Sequence, residues 1–188
     1  MKKLNFIIKY GLALLLLSFY SCESWLNVTP SDRLSEEMLF NDREGFVKAL
    51  NGVYIELNTN ELYGRNLTAG ALDVMGQYYS VASSSHAFYN YGGLVYTGND
   101  EKALFDNMWQ KCYAVIACCN TIIEKCDERQ DVLPGVYYGL YKGEALALRA
   151  MLHLDMLRLF GPVYDETSKT AECIPYVTNT DAQISPLL

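Results

Sequence analysis

From Asp42 to Asn58 the apolar residues Phe46, Leu50, Val53, Tyr54 and Leu57 recur at helical spacing, and Asn41 or Asp42 is placed to cap the first turn. The pattern predicts an amphipathic helix with one buried face. A shorter helix is expected over Ser31 to Phe40, with Ser31 or Asp32 as its cap and Glu36 and Glu37 near its positive end. Periodicity returns from Asp100 to about Cys126, where Leu104, Phe105, Met108, Trp109, Cys112, Tyr113, Ile116, Asn120 and Ile123 form a broad stripe. A connector containing Pro134 leads to a last long helix, Val136 to Phe160, which Gly161-Pro162 stops. Two long helices joined by a short link predict an antiparallel hairpin, so the chain is expected to be mainly all-α.

Between Asn58 and Asn99 the periodicity fails. Gly64, Gly70, Gly76, Gly92, Gly93 and Gly98 and the run Ser83-Ser84-Ser85 are interleaved with Tyr78, Tyr79, His86, Phe88, Tyr89, Tyr91 and Tyr96. Only about Asn66 to Met75 keeps helical character, so a long irregular loop loaded with aromatic side chains is expected. Loops of that length are usually functional or disordered. Beyond Phe160, Ile174 to Thr178 is the one extended stretch in a tail with little periodicity. Gly139 and Gly143 lie one turn apart on the last helix, a spacing that predicts close approach of a neighbouring backbone.

The first residues carry a different signal. Lys2, Lys3 and Lys9 precede an almost unbroken apolar run, Tyr10 to Tyr20, too short to span a bilayer at about 20 residues. Ser18 and Ser21 stand close to Cys22, and Phe19-Tyr20-Ser21-Cys22 reads as a loose lipobox. Residues 1–21 are therefore read as a lipoprotein signal peptide, and Cys22 as the lipidated first residue of the mature chain.

Charge then changes the picture. The formal charge is −7, and the leader holds three lysines and no acid, so residues 22–188 carry −10. An acidic surface argues against nucleic acid and against a polybasic grip on anionic lipid. Attachment to a membrane must then come from the lipid.

Catalytic patterns are missing from the sequence. His86 and His153 are the only histidines, and His153, with Arg149 one turn before it and Asp155 two residues on, reads as a structural residue. There is no Gly-x-Ser-x-Gly and no glycine-rich phosphate loop, and the acids are too general to name a glycosidase pair. Cys112, Cys119 and Cys126 share a helix face, but each step of seven residues rises about 10 Å, too far for one zinc ion to take two of them. They read as core residues. Cys118 and Cys173 are left as possible disulfide partners, and Glu144 with Arg149 as a structural ion pair or as helix-end contacts. No enzyme activity, metal or cofactor is expected.

Fifteen tyrosines among 188 residues favour stacking chemistry, because a tyrosine joins a flat apolar face to a polar tip. A sugar needs such faces for its C–H surfaces and short polar groups for its hydroxyls. Tyr78, Tyr79, Tyr89, Asn90 and Tyr91, with Asp73 and Gln77 nearby, supply that mixture and are the candidate ligand residues. The competing reading is that some of these rings pin the loop to the helices.

Four ordered blocks carry a resemblance. They are Cys22-Glu23-Ser24-Trp25-Leu26-Asn27-Val28-Thr29-Pro30, the Phe46 to Leu57 helix, Trp109 to Asn120, and Gly143-Glu144-Ala145 through Arg149-Ala150 to Arg158-Leu159-Phe160-Gly161-Pro162-Val163. Together they resemble the SusD/RagB outer-membrane lipoproteins of Bacteroidetes, although Tyr164 stands where a proline is common. The resemblance implies tetratricopeptide-like helix hairpins and a longer domain, of which residues 22–188 are the first part. It also implies non-catalytic capture of an oligosaccharide at the extracellular side of the outer membrane, beside a TonB-dependent transporter of the SusC type. Ligand contacts in such proteins often fall in the stretch before the helix that starts here at Asp100. Binding of a peptide or protein by the same helical scaffold is the alternative.

Overall fold

The structure, a computed structural model, describes residues 36–180. The leader, Cys22 and the first half of the helix expected over Ser31 to Phe40 lie outside the described residues. Its described part is helical: α1 spans Glu36–Leu39. α2 spans Arg43–Leu57, and Asp42 caps it, its Oδ1 accepting from the Gly45 N–H at 2.9 Å. The turn between α1 and α2 passes so close that a Cβ on Gly45 would sit 1.5 Å from the Leu39 carbonyl oxygen, so only glycine fits there. Two short helices follow, α3 at Ala71–Met75 and α4 at Tyr89–Gly92. The long pair is α5, Asn99–Glu128, and α6, Tyr137–Phe160, joined by a 3-10 turn at Gln130–Val132 and by Gly135 at a φ of 64°. Helices are the only regular elements among the described residues, and none is long and apolar enough to cross a membrane.

α5 is the centre of the packing. Its residues Met108, Cys112, Val115, Ile116, Cys119, Ile122, Ile123 and Cys126 are buried and meet Phe46, Leu50, Val53 and Leu57 of α2 and Ala145, Leu148, Leu152 and Met156 of α6. Pairs such as Lys142 with Asp127 and Arg149 with Asn120 run in opposite order along the two helices, so α5 and α6 are antiparallel as the short link predicts. Arg129, just past α5, donates to the Phe40 carbonyl at 3.0 Å and to Asn41 Oδ1 at 3.3 Å, tying the end of α5 to the start of α2.

The three in-register cysteines are core residues. Burial raises the Cys112 and Cys119 thiols to about 12 and the Cys126 thiol to about 11, which leaves them protonated and inert. Cys118 and Cys173 carry free thiols.

Three expectations need correction. A Cβ on Gly139 or Gly143 would meet nothing within 4 Å, so these glycines bring no neighbouring backbone close among the described residues. They lie on the outward face of α6 with exposed Val136, Leu140 and Leu154. Glu144 and Arg149 form no ion pair. Glu144 accepts from the Tyr54 hydroxyl at 2.7 Å, which joins α6 to α2, while Arg149 turns to Asn120 and the tail. The long loop is also better ordered than expected, since turns over residues 58–70 and the helices α3 and α4 bury Leu62, Leu67, Val74 and Tyr91.

The extended tail over Ile174 to Thr178 forms no strand, so its backbone groups must find partners elsewhere. A buried polar clasp on α5 and α6 supplies them. Asn120, wholly buried, donates to the Val177 and Asn179 carbonyls at 3.4 and 3.2 Å, and its Oδ1 accepts from Arg149 Nη1 at 2.7 Å. Arg149 also donates to the Thr178 carbonyl at 2.9 Å, and the Tyr113 hydroxyl to that of Pro175 at 2.8 Å. The Val177 N–H donates to His153 Nε2 at 3.1 Å, which makes Nε2 the bare nitrogen and sets Nδ1–H to donate to the Arg149 carbonyl at 2.9 Å. His153 is thus the structural residue that its position in the helix suggests.

Burial, with the nearby Arg149 charge, lowers the His153 pKa below its ordinary 6.5. The unfolded chain therefore binds the extra proton first, so this residue's stabilising contribution is complete above about pH 6.5 and is lost as pH falls below it. Thermal unfolding followed from pH 7.5 to 5 is expected to show a falling Tm, and His153→Gln, which cannot titrate, should flatten that fall.

Candidate functional site

The region between α2 and α5 is built from two helix ends of the same kind. At the end of α3 the Tyr78 N–H donates to the Asp73 carbonyl at 3.0 Å and the Gln77 N–H to that of Val74 at 3.0 Å. At the end of α4 the Val95 N–H donates to the Asn90 carbonyl at 2.9 Å and the Leu94 N–H to that of Tyr91 at 3.1 Å. Both are Schellman closures, which need a left-handed residue after the last turn. Glycine usually supplies it, but here Gln77 (φ 59°) and Leu94 (φ 54°) do, each at a cost of about 1 kcal/mol. Gln77 offsets its cost by bridging the two ends, its Nε2 donating to the Val74 carbonyl at 3.2 Å and to that of Gly92 at 2.9 Å.

Between these ends lies an open cleft of about 370 Å³, with Gln77, Tyr79, Ser80 and Val81 on one side and Tyr89, Asn90, Gly92, Gly93 and Val95 on the other. Tyr79 is held by its hydroxyl, which donates to the Ala69 carbonyl. Asn90 Nδ2 donates to Glu101 Oε1 at 2.7 Å, and Glu101 sits buried in the first turn of α5. The cleft is thereby referenced to the long helix. Tyr89 is 42 % exposed and its ring packs on no other aromatic ring among the described residues, so it offers a stacking face.

Of the residues singled out in the sequence, Gln77, Tyr79, Tyr89 and Asn90 are brought together at this cleft. Tyr78, 82 % exposed, and the half-buried Asp73 stand outside its lining. Tyr91 is a correction. It is 2 % exposed and packs edge-on against Phe88 and Phe105 at 5.8 and 6.0 Å and beside Tyr96, so no face of its ring is left for a ligand. Burial and the nearby Glu101 and Asp100 raise its hydroxyl pKa to about 12. Ser80, Val81, Gly92, Gly93 and Val95 escaped notice because small and aliphatic residues in a turn-rich stretch carry no chemical signature.

The described structure is a helical scaffold with a small open cleft that joins exposed tyrosine rings to side-chain amides. Comparison with known proteins gives the family. Residues 24–185 match the SusD-like family described as starch-binding associating with the outer membrane, and the chain belongs to that family. It is 25 % identical over 161 residues to SusD-like protein P2 of Formosa agariphila, an alignment covering 86 % of this chain and 30 % of that protein. The chain thus spans less than a third of the length of this relative. No solved structure matches.

Tyr91 and Tyr89 should separate cleanly on mutation. Tyr91→Ala is expected to cost about 3 kcal/mol in urea unfolding, since it empties an aromatic core, whereas Tyr89→Ala should stay within about 0.5 kcal/mol of wild type.

Proposed function

We propose that this protein is a non-catalytic surface lipoprotein that captures an oligosaccharide in the cleft between α3 and α4 and passes it to a TonB-dependent transporter of the SusC type. The observation that carries the reading is the pairing, in one cleft, of exposed Tyr79 and Tyr89 rings with the amides of Gln77 and Asn90. Rings stack on the C–H faces of a sugar, and amides meet its hydroxyls. Membership of a family described as starch-binding and associated with the outer membrane supports both ligand and location. Cys22 would hold the protein to the outer membrane by its lipid, facing outward.

The same reading makes residues 22–188 the first part of a larger domain of tetratricopeptide-like hairpins. Exposed Leu140, Leu154 and Leu157 on α6, with Val136 at its cap, form the kind of apolar face that the next hairpin of such an array covers.

A saccharide array probed with the protein should show binding to a defined set of oligosaccharides, and Tyr89→Ala should weaken it about tenfold, the loss of one stacked ring. Binding to peptides and to no saccharide would support the alternative, a peptide-binding scaffold, and turnover of a bound sugar would make the protein an enzyme. Cells grown with labelled palmitate should mark the protein, and Cys22→Ala should abolish the label and release the protein from the membrane.

A further inference from the structure

We infer that the cleft is selective for uncharged, hydroxyl-donating saccharides and discriminates against glycans bearing carboxylate or sulfate groups. The inference rests on the proposed saccharide reading and adds the charge class of the ligand.

The first observation is the direction of the donors. Gln77 Nε2 donates to two backbone carbonyls, groups that only accept, so the amide orientation is settled and both of its N–H bonds are spent. Asn90 Nδ2 faces the Glu101 carboxylate at 2.7 Å, which settles that amide as well. The Tyr79 hydroxyl donates to the Ala69 carbonyl. The backbone N–H groups of Gly92, Gly93 and Val95 are occupied by the carbonyls of Phe88, Tyr89 and Asn90. The Gln77 amide, the Tyr79 hydroxyl and the glycine N–H groups are thus turned into the protein, one Asn90 N–H is taken by Glu101, and the amide oxygens of Gln77 and Asn90 are left, beside the Ser80 hydroxyl, without a partner among the described residues.

The second observation is charge. Among the described residues no lysine, arginine or histidine lines the cleft, and the carboxylate of Glu101 stands one hydrogen bond from Asn90. Recognition of a carboxylate or sulfate depends on converging N–H donors and on positive charge, most often an arginine or lysine. This lining supplies no positive charge, and the buried Glu101 carboxylate behind Asn90 repels an anion placed against that side chain. A hydroxyl meets no such barrier, because it donates to either amide oxygen while the pyranose face rests on Tyr89.

The test measures binding of the whole chain to neutral hexose oligosaccharides and to the same oligosaccharides carrying uronate or sulfate groups, at moderate salt, with Tyr89→Ala run in parallel. Neutral ligands are expected to bind, with each acidic counterpart at least about tenfold weaker. Ser80→Lys places an ammonium on the cleft wall at a side chain with no hydrogen bond to lose, and it should raise the acidic-to-neutral affinity ratio. Acidic ligands that bind as well as neutral ones, and lose that binding in Tyr89→Ala, would overturn the selectivity and leave the saccharide reading standing. Absence of binding by every saccharide, neutral or acidic, would overturn both.

Discussion

A thirty-residue helix is about 45 Å long, and α5 carries an apolar stripe along most of that length. Everything else in the described structure is arranged to cover it. α2 lies along one flank, α6 returns along the other, and Arg129 closes the far end by reaching back to Phe40 and Asn41. Near the N-terminal end of α5 the cover is aromatic rather than aliphatic. Tyr91, Tyr96, Trp109 and Phe160 stack edge-on around Phe105 and one another. The turn-rich region is therefore fastened to the helix by rings, which lets a segment with few regular hydrogen bonds keep a defined place.

Where the cover is not helical, polar groups have to be answered one by one. The tail over Ile174 to Thr178 crosses α5 and α6 without a partner strand, so its carbonyls and N–H groups would be stranded if only apolar side chains faced them. Asn120, Arg149 and His153 are the answer, and each satisfies a second group as well as the tail. Such a network has no spare member. That explains a wholly buried asparagine in the middle of an otherwise apolar stripe, a position where leucine would pack but take one of Arg149's two acceptors and leave two carbonyls unpaired.

The long helices were legible in the sequence because an apolar stripe repeated over several turns admits one period, and their bounds moved by no more than two residues at either end. The place of the cleft was legible too, from glycines and tyrosines crowded where periodicity fails. Individual roles were not. Tyr89 and Tyr91 flank Asn90 symmetrically in the sequence, yet two residues apart on a helical turn means nearly opposite sides, and only one of them can face outward. The partners of Glu144 and Arg149 lie 90 and 29 residues away, at Tyr54 and Asn120, and nothing local announces them. Gly139 and Gly143 reveal a shared face, but glycine spacing alone does not say whether a neighbour stands against it.

The cleft itself shows how a short, irregular segment becomes a defined surface. Two one-turn helices are unstable alone, since nucleation costs more than a single turn returns. Their ends are nevertheless held together by one side chain, Gln77, whose two N–H bonds reach a carbonyl in the last turn of each, Val74 and Gly92. Asn90 then ties the assembly to the first turn of α5 through Glu101, and Tyr91 ties it to the aromatic cluster. These bonds turn the Gln77 amide N–H groups and one of Asn90 into the protein, so the interactions that order the segment also fix which of its polar atoms stay open. A site ordered before its ligand arrives loses little entropy on binding. In this chain that order uses the donors of Gln77, so on the proposed reading the stacking faces, the amide oxygens and the Ser80 hydroxyl are what a saccharide meets.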